Sequence, residues 1–450
     1  MIDTPTLAAI RFGYGLPQPY PAAGAESLLA ALAAPDNMAA QHPTVGFAEL
    51  LPLLARAADA RKMIRADPTQ RDTYEAVAKE AVLLADSTTR TGFARAIDAP
   101  DGFRERLTAF WADHFITKAR NAPERPLPNT LTHDAVRPHL TGRFEDMLIA
   151  ATLHPAMLSY LDQVASVGPN SPFGQKRGRG LNENLGREVI ELHSLGVGGH
   201  YAQSDVRQMA LLLTGLDANA RDGFVFHQNR AEPGAETVLG TSYPGEGLAP
   251  IKAALRDLAR HPDTAHHIAR KLATHFVADN PDPALVTTMT TAYAASEGDL
   301  MAVYAAMLQH PAAWVPQLQK ARQPVDFLLA ALRALGLSGD DLRKMRRGPF
   351  NRMIMQPMAL MGQDWQKPSG PDGWAEEAEH WITPQGLGAR IAWAMEVPGR
   401  LVVPMPEPPD FLRTALGTAA DEPLIWAAAR AESIREGVGL VLASPSFNRR

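Results

Sequence analysis

The 450-residue chain contains no cysteine, which excludes disulfides, thiolate metal sites and cysteine nucleophiles together. That absence is neutral as to compartment, because a cysteine-free chain suits reducing and oxidising spaces alike. An excess of one charge sign is missing too. The 44 basic and 49 acidic residues are interspersed and sum to a net charge of -5, without the basic stripe of a nucleic-acid binder. The longest apolar runs, such as EAVLLADS and MALLLTGL, fall far short of a membrane span. The opening MIDTPTLAAIRFGYGL has neither a basic segment nor a long apolar core, so no signal peptide and a cytoplasmic location are expected. HExxH, a Walker loop and GxGxxG after a strand are all lacking, and with them the familiar hydrolase and nucleotide-binding signatures.

What the chain does have is helical periodicity. AESLLAALAAP, DTYEAVAKEAVLLADS, FRERLTAFWADHF, APIKAALRDLARHP, TAHHIARKLATHFVAD and VDFLLAALRALG repeat apolar residues at three- and four-residue spacing. Glycine or proline closes several of them. Strand-like runs are scarce, the best being GFVFHQ (223–228) and ETVLG (236–240). The pattern predicts a mainly α protein, a large single-domain, bundle-like array of helices over 1–450. A C-terminal subdomain over 321–450 and at most a short β-hairpin around 223–240 complete the expectation. Irregular stretches run from about 163 to 180 and from about 367 to 388.

One segment carries an unusual polar strip. GLNENLGREVIELHSLGVGGHY, residues 180–201, predicts a helix over 182–195 with Asn182 as N-cap and Gly196 just past its end. At about 100° per residue, Asn184, Glu188 and Glu191 share a narrow sector with Arg187 at its edge, with the apolar Leu185, Val189 and Leu192 on one side and Ile190 on the far side. Such a strip is either solvent-facing, an ion-paired strut, or a buried constellation. In the last case two neighbouring carboxylates push their pKa values apart, which suits acid/base work or cation binding. Spacing leaves all three open. The following helix has Ser204 as expected N-cap and Asp205 in its first turn, and the two helices form a hairpin. His114 shares a helical face with Leu107, Phe110, Trp111 and Phe115, and so belongs to the buried side.

RFGYG, FWADHF, HPAMLSYLD, NENLGREVIELHSLGVGGHYAQSDVRQMALLLTG, TAHHIARKLATHFVAD, GQDWQKPSGPDGW and LASPSFNRR follow one another in an order that resembles the large bacterial family called domain of unknown function 1800. The resemblance spans nearly the whole chain. It implies a helical single-domain protein without settled biochemistry, in a family whose members are often exported and encoded beside a sulfatase-like protein. A periplasmic location and a sulfatase-like partner are therefore the family-derived alternatives. The matching polar positions are His114, Asp162, Asn182, Glu183, Asn184, Arg187, Glu188, Glu191 and Asp205. Ala112 and Asp113 stand where the family has a second His and an Asn, Ala231 and Glu232 where it has a His-Asp pair, and Glu236 where it has a Lys.

Two functional expectations follow. The first is a non-catalytic binding or assembly protein, its polar strip a buried network on the 182–195 helix. The alternative is a helix-lined enzyme in which His114, Arg187, Glu188 and Glu191 act in acid/base chemistry. In its metal-dependent form His114, Glu188 and Glu191 hold Fe, Mn or Zn, with Asp162, Asn182, Asn184 and Asp205 completing the pocket. Neither expectation includes nucleic acid or a membrane span.

Overall fold

A computed structural model describes residues 2–18 and 22–450. It is mainly α, as the periodicity predicts, with two small two-stranded sheets. Gly223–Phe226 and Glu236–Val238 both form strands but do not pair with each other. Gly223–Phe226 pairs antiparallel with Leu216–Asn219, and Glu236–Val238 with Thr241–Tyr243. Turn chemistry explains the difference. Asn219 accepts the backbone N–H groups of Arg221 and Asp222 at 2.8 Å, closing the first turn. Leu239 and Gly240, both at positive φ, make the second a two-residue hairpin loop. Among the described residues no helix is long and apolar enough to cross a membrane.

The buried apolar side chains fall into two clusters. One draws on residues between Ala8 and Ala313. The other combines Phe327 through Phe447 with Tyr14, Phe93, Ala96 and Ile97. The Arg71–Asp98 helix serves both, burying Val77 and Ala81 in the first and Phe93 and Ile97 in the second. Its C-terminal end is fastened by the buried Arg333, whose guanidinium donates to the carbonyls of Ala96, Ile97 and Ala99 at 2.7–3.0 Å. A cation at that position complements the negative end of the helix dipole. The 320–322 segment pairs with the end of the chain through Lys320 and Arg450, whose N–H groups donate to each other's carbonyls at 3.1 and 2.8 Å.

The strip-bearing helix is shorter than its periodicity suggests, running Asn184–Glu191. Asn182 is not its N-cap. Its Oδ1 accepts from Asn184 N at 3.0 Å, one residue ahead of Glu183, which holds the cap position without a side-chain bond. At the other end His193 N bonds Glu188 O and Leu195 N bonds Ile190 O. These wider, five-residue loops turn the chain so that His193 and Ser194 are buried. The next helix, Gln203–Leu212, is capped at Ala202 rather than Ser204, with Asp205 accepting from Ala202 N at 2.8 Å. The two helices meet where Gly186 lies against Ala210; a Cβ there would stand 2.8 Å from Ala210 N.

Candidate functional site

A chain of buried polar groups lies where the Phe103–His114, Pro262–Phe276 and Pro324–Ala334 helices meet the irregular strap of residues 363–378. Arg106 is 1 % exposed and pairs with the buried Asp326. Its second terminal nitrogen donates to His275 Nε2 at 2.9 Å. His275 Nδ1 donates in turn to Glu376 Oε1 at 2.6 Å. Lys320, wholly buried, reaches Glu376 at 3.1 Å and Asp279 at 2.6 Å. Carboxylate and cation therefore alternate from Asp326 to Asp279, with the imidazole between Arg106 and Glu376. Buried charges persist when paired in this way, since an unpaired one is costly. Burial alone would raise Glu376, but His275 and Lys320 overcome it and hold its carboxyl down to about 2.

Asp113 stands next to this chain with different surroundings. Burial pushes its carboxyl up to about 7, against the backbone N–H of Trp374 that it accepts at 3.0 Å. A Cβ on Gly373 would come within 2.5 Å of Asp113 Oδ2, and Gly373 has φ +85, so close approach and backbone both require glycine there. Across from Asp113, burial lowers the Lys271 ammonium, with Asp113, Glu376 and Asp372 partly opposing that. Lys271 Nζ donates to His114 Nδ1 at 3.2 Å, and His114 Nε2 donates to the carbonyl of His193 at 3.3 Å. His114, His193 and His267 form a neutral group: burial and Lys271 depress all three, His193 to about 3 and His267 to about 4.

A cavity of about 190 Å³ opens on one side of the centre. Tyr14, Phe93, Phe115, Trp365 and Trp374 supply its aromatic walls, and Glu105, Arg106, Asp113, Asp326, Arg95 and His275 its charged and titratable groups. Among its lining residues, Arg95 Nη2, Thr117 Oγ1 and Trp365 Nε1 have no hydrogen-bond partner among the described residues. Ala112 and Asp113 are in its wall.

The residues singled out in the sequence divide into two places. His114 is buried as expected, at 2 % exposure, and faces His193, His267 and Lys271. Glu188 has Glu191, Arg187, Asp372 and Tyr160 around it. Among the described residues no three His, Asp or Glu side chains are gathered to hold a metal ion. His114 is bonded to Lys271 of the Pro262–Phe276 helix and to the His193 carbonyl, and among the described residues neither Glu188 nor Glu191 hydrogen-bonds to it.

The strip is also not a buried network. Arg187 is 36 % exposed and bonds Glu191 at 3.0 Å, Gln203 at 3.2 Å and Glu183 at 3.5 Å; Asn184 is exposed. Only Glu188 is markedly perturbed, pushed up to about 7 by burial and then by Glu191. Asp162 is at the surface, paired with Arg120 at 2.9 Å, and its carbonyl accepts from Asn182 Nδ2 at 3.3 Å. Asp205 is a helix cap. Glu232 fastens the 168–170 loop through Asn170 N at 3.0 Å, and Glu236 is buried in its strand.

Sequence reasoning missed Arg95, Arg106, Asp113, Lys271, His275, Asp326 and Glu376. One signal was present: His267, Lys271 and His275 recur every fourth residue, a polar stripe on a helix otherwise apolar on that side. The other residues carry no local mark. In the structure, however, they lie among the motifs that carry the resemblance. Tyr14 of RFGYG underlies Arg106 at 5.4 Å, FWADHF supplies Asp113 and His114, and TAHHIARKLATHFVAD supplies Lys271 and His275. GQDWQKPSGPDGW supplies Trp365 and Trp374, and LASPSFNRR ends at Arg450, 3.4 Å from Asp326.

No curated protein and no solved structure shows significant similarity to the chain. A family model does match, over residues 8–449. The segments gathered at the buried centre all fall within that span, and the chain belongs to the family described as Protein of unknown function (DUF1800).

Proposed function

We propose that this chain is a non-catalytic binding protein for a small organic molecule, held in the cavity beside Asp113. The observation that carries this reading is the cavity itself: aromatic walls around a few convergent polar groups, one of them a carboxyl raised to about 7. Apolar pockets with sparse polar groups and perturbed ionisation are the usual form of a small-molecule site. An enclosed apolar cavity of about 150 Å³ holds a benzene-sized molecule, so about 190 Å³ suits a compound of one ring with short substituents. The polar strip on the Asn184–Glu191 helix supports this reading only as a strut of ion pairs near the surface.

A fragment set of single-ring compounds, screened by ligand-observed NMR, tests the proposal. Binding is expected in the wild-type protein and is expected to vanish in Ala112→Phe, which fills the cavity, with helical content retained. Binding that survives Ala112→Phe places the ligand elsewhere and refutes the site. Asp113 and Lys271, whose ionisation is shifted toward neutrality, favour acid/base chemistry as the second reading. The metal-dependent form of that reading is tested by measuring Fe, Mn and Zn in protein prepared without a metal-affinity tag. Stoichiometric metal that disappears in Glu188→Gln would overturn the binding reading.

A further inference from the structure

The cavity is lined by three arginines, and their partners differ. Arg137 is neutralised twice, by Glu105 at 2.6 and 2.8 Å and by Asp36 at 2.5 and 2.8 Å. Arg106 is held by Asp326 and His275. Arg95 has neither kind of partner. It is 6 % exposed, and among the described residues its side chain makes one hydrogen bond, from Nε to the carbonyl of His42 at 2.9 Å. Among the described residues its buried Nη2 has no hydrogen-bond partner, and no carboxylate forms an ion pair with it. Burial lowers its pKa to about 10, with Arg137 adding to that and Glu105 and Asp36 opposing it.

A guanidinium does not give up its proton at working pH, so this charge stays in a largely dehydrated wall. Isolated buried charge is costly, and a carboxylate offers the two parallel acceptors that a guanidinium fork fits. Across the cavity the titratable group is Asp113, which is half neutral near pH 7. Among the described residues an anion therefore meets one cation without a carboxylate partner, Arg95, and little fixed negative charge that is not already matched, since Glu105 and Asp326 are each engaged by an arginine.

Resting on the binding reading above, we propose that the ligand is a small organic acid whose carboxylate is received by Arg95, its ring lying among Phe93, Trp365 and Trp374. The class follows from the wall: among the described residues a cation without a carboxylate partner, aromatic surfaces, and room for about one ring.

Matched pairs of single-ring carboxylates and their primary amides, benzoate and benzamide first, are titrated against the full-length protein by ligand-observed NMR and tryptophan fluorescence. The acids are expected to bind at least tenfold more tightly than the amides. That preference is expected to disappear in Arg95→Gln and to survive in part in Arg95→Lys, which keeps the charge. Equal binding of acids and amides would overturn the acid assignment and leave the cavity reading standing. Failure of both sets to bind would overturn the two together. If Arg95→Gln does not fold, the acid-to-amide ratio in the wild-type protein still decides. Inorganic phosphate is the third probe: phosphate displacing bound benzoate, with benzoate no tighter than phosphate, would show that the ring contributes nothing and would overturn the organic-acid assignment.

Discussion

Replacing Asp113 by asparagine separates the cost of a charge at this position from the value of the hydrogen bond it accepts. In the folded chain the carboxyl is raised from 3.8 to about 7, by burial first, with the Trp374 N–H and Lys271 pulling the other way. A raised folded pKa means that the native state binds more protons than the unfolded state between those two values. Stability from this group is fully present below about pH 3.8 and is lost as pH rises toward 7. The whole loss corresponds to at most about 4 kcal/mol, and because the residue is only half-buried a value on the order of 2 kcal/mol is expected. Asparagine keeps an acceptor for Trp374 N and never ionises. Urea unfolding, followed by tryptophan fluorescence at each pH from 4 to 8, compares the two proteins. Asp113→Asn is expected to be nearly level with wild type at pH 4, to gain on it steadily, and to hold a constant advantage above about pH 7. A difference that does not change with pH, or a variant less stable at pH 8, would refute the reasoning.

Glu376→Gln leaves Lys320 and His275 short of their charged partner and should cost about 3–5 kcal/mol at pH 7. Because the wild-type carboxyl is held down to about 2, its contribution is full above about 4.5 and fades as pH falls toward 2, so the gap between the two proteins should close in acid unfolding curves. Glu191→Gln should lower the Glu188 pKa from about 7, read by NMR titration of labelled carboxyl carbons. The same substitution should cost under about 1 kcal/mol, because its Arg187 pair is partly exposed. Gly186→Ala should destabilise by about 1–3 kcal/mol, since its Cβ would meet Ala210 at 2.8–3.0 Å, whereas Gly180→Ala, with open space around it, should leave the denaturation midpoint almost unchanged.

The strip on the 184–191 helix shows how far spacing reaches. Its angular arrangement was legible, because side-chain direction in a helix follows from about 100° per residue. Whether that face meets water or a neighbour depends on elements distant in sequence, and here Asn184 is exposed while Arg187 and Glu188 are half-buried. The wide final turn that buries His193 was not legible either, since a five-residue hydrogen bond leaves no mark in the apolar pattern. Pairing of the strands failed for a related reason: Leu239 in a left-handed conformation is a residue no turn preference would choose.

By itself the sequence determined the helical class, the buried side of the 103–114 helix, the lack of thiol chemistry and the family, all of which rest on residues close together in the chain or on motif order. Tertiary structure alone decided which polar groups meet. Tyr14, Arg106, His275, Asp326, Glu376 and Arg450 come from six separate segments, and no local pattern links them. Burial of each is favourable only in the presence of the others, since a charge leaves water at a tolerable cost only when its partner goes with it. The same dependence left Arg95 without a carboxylate and the cavity beside it with a cation to offer.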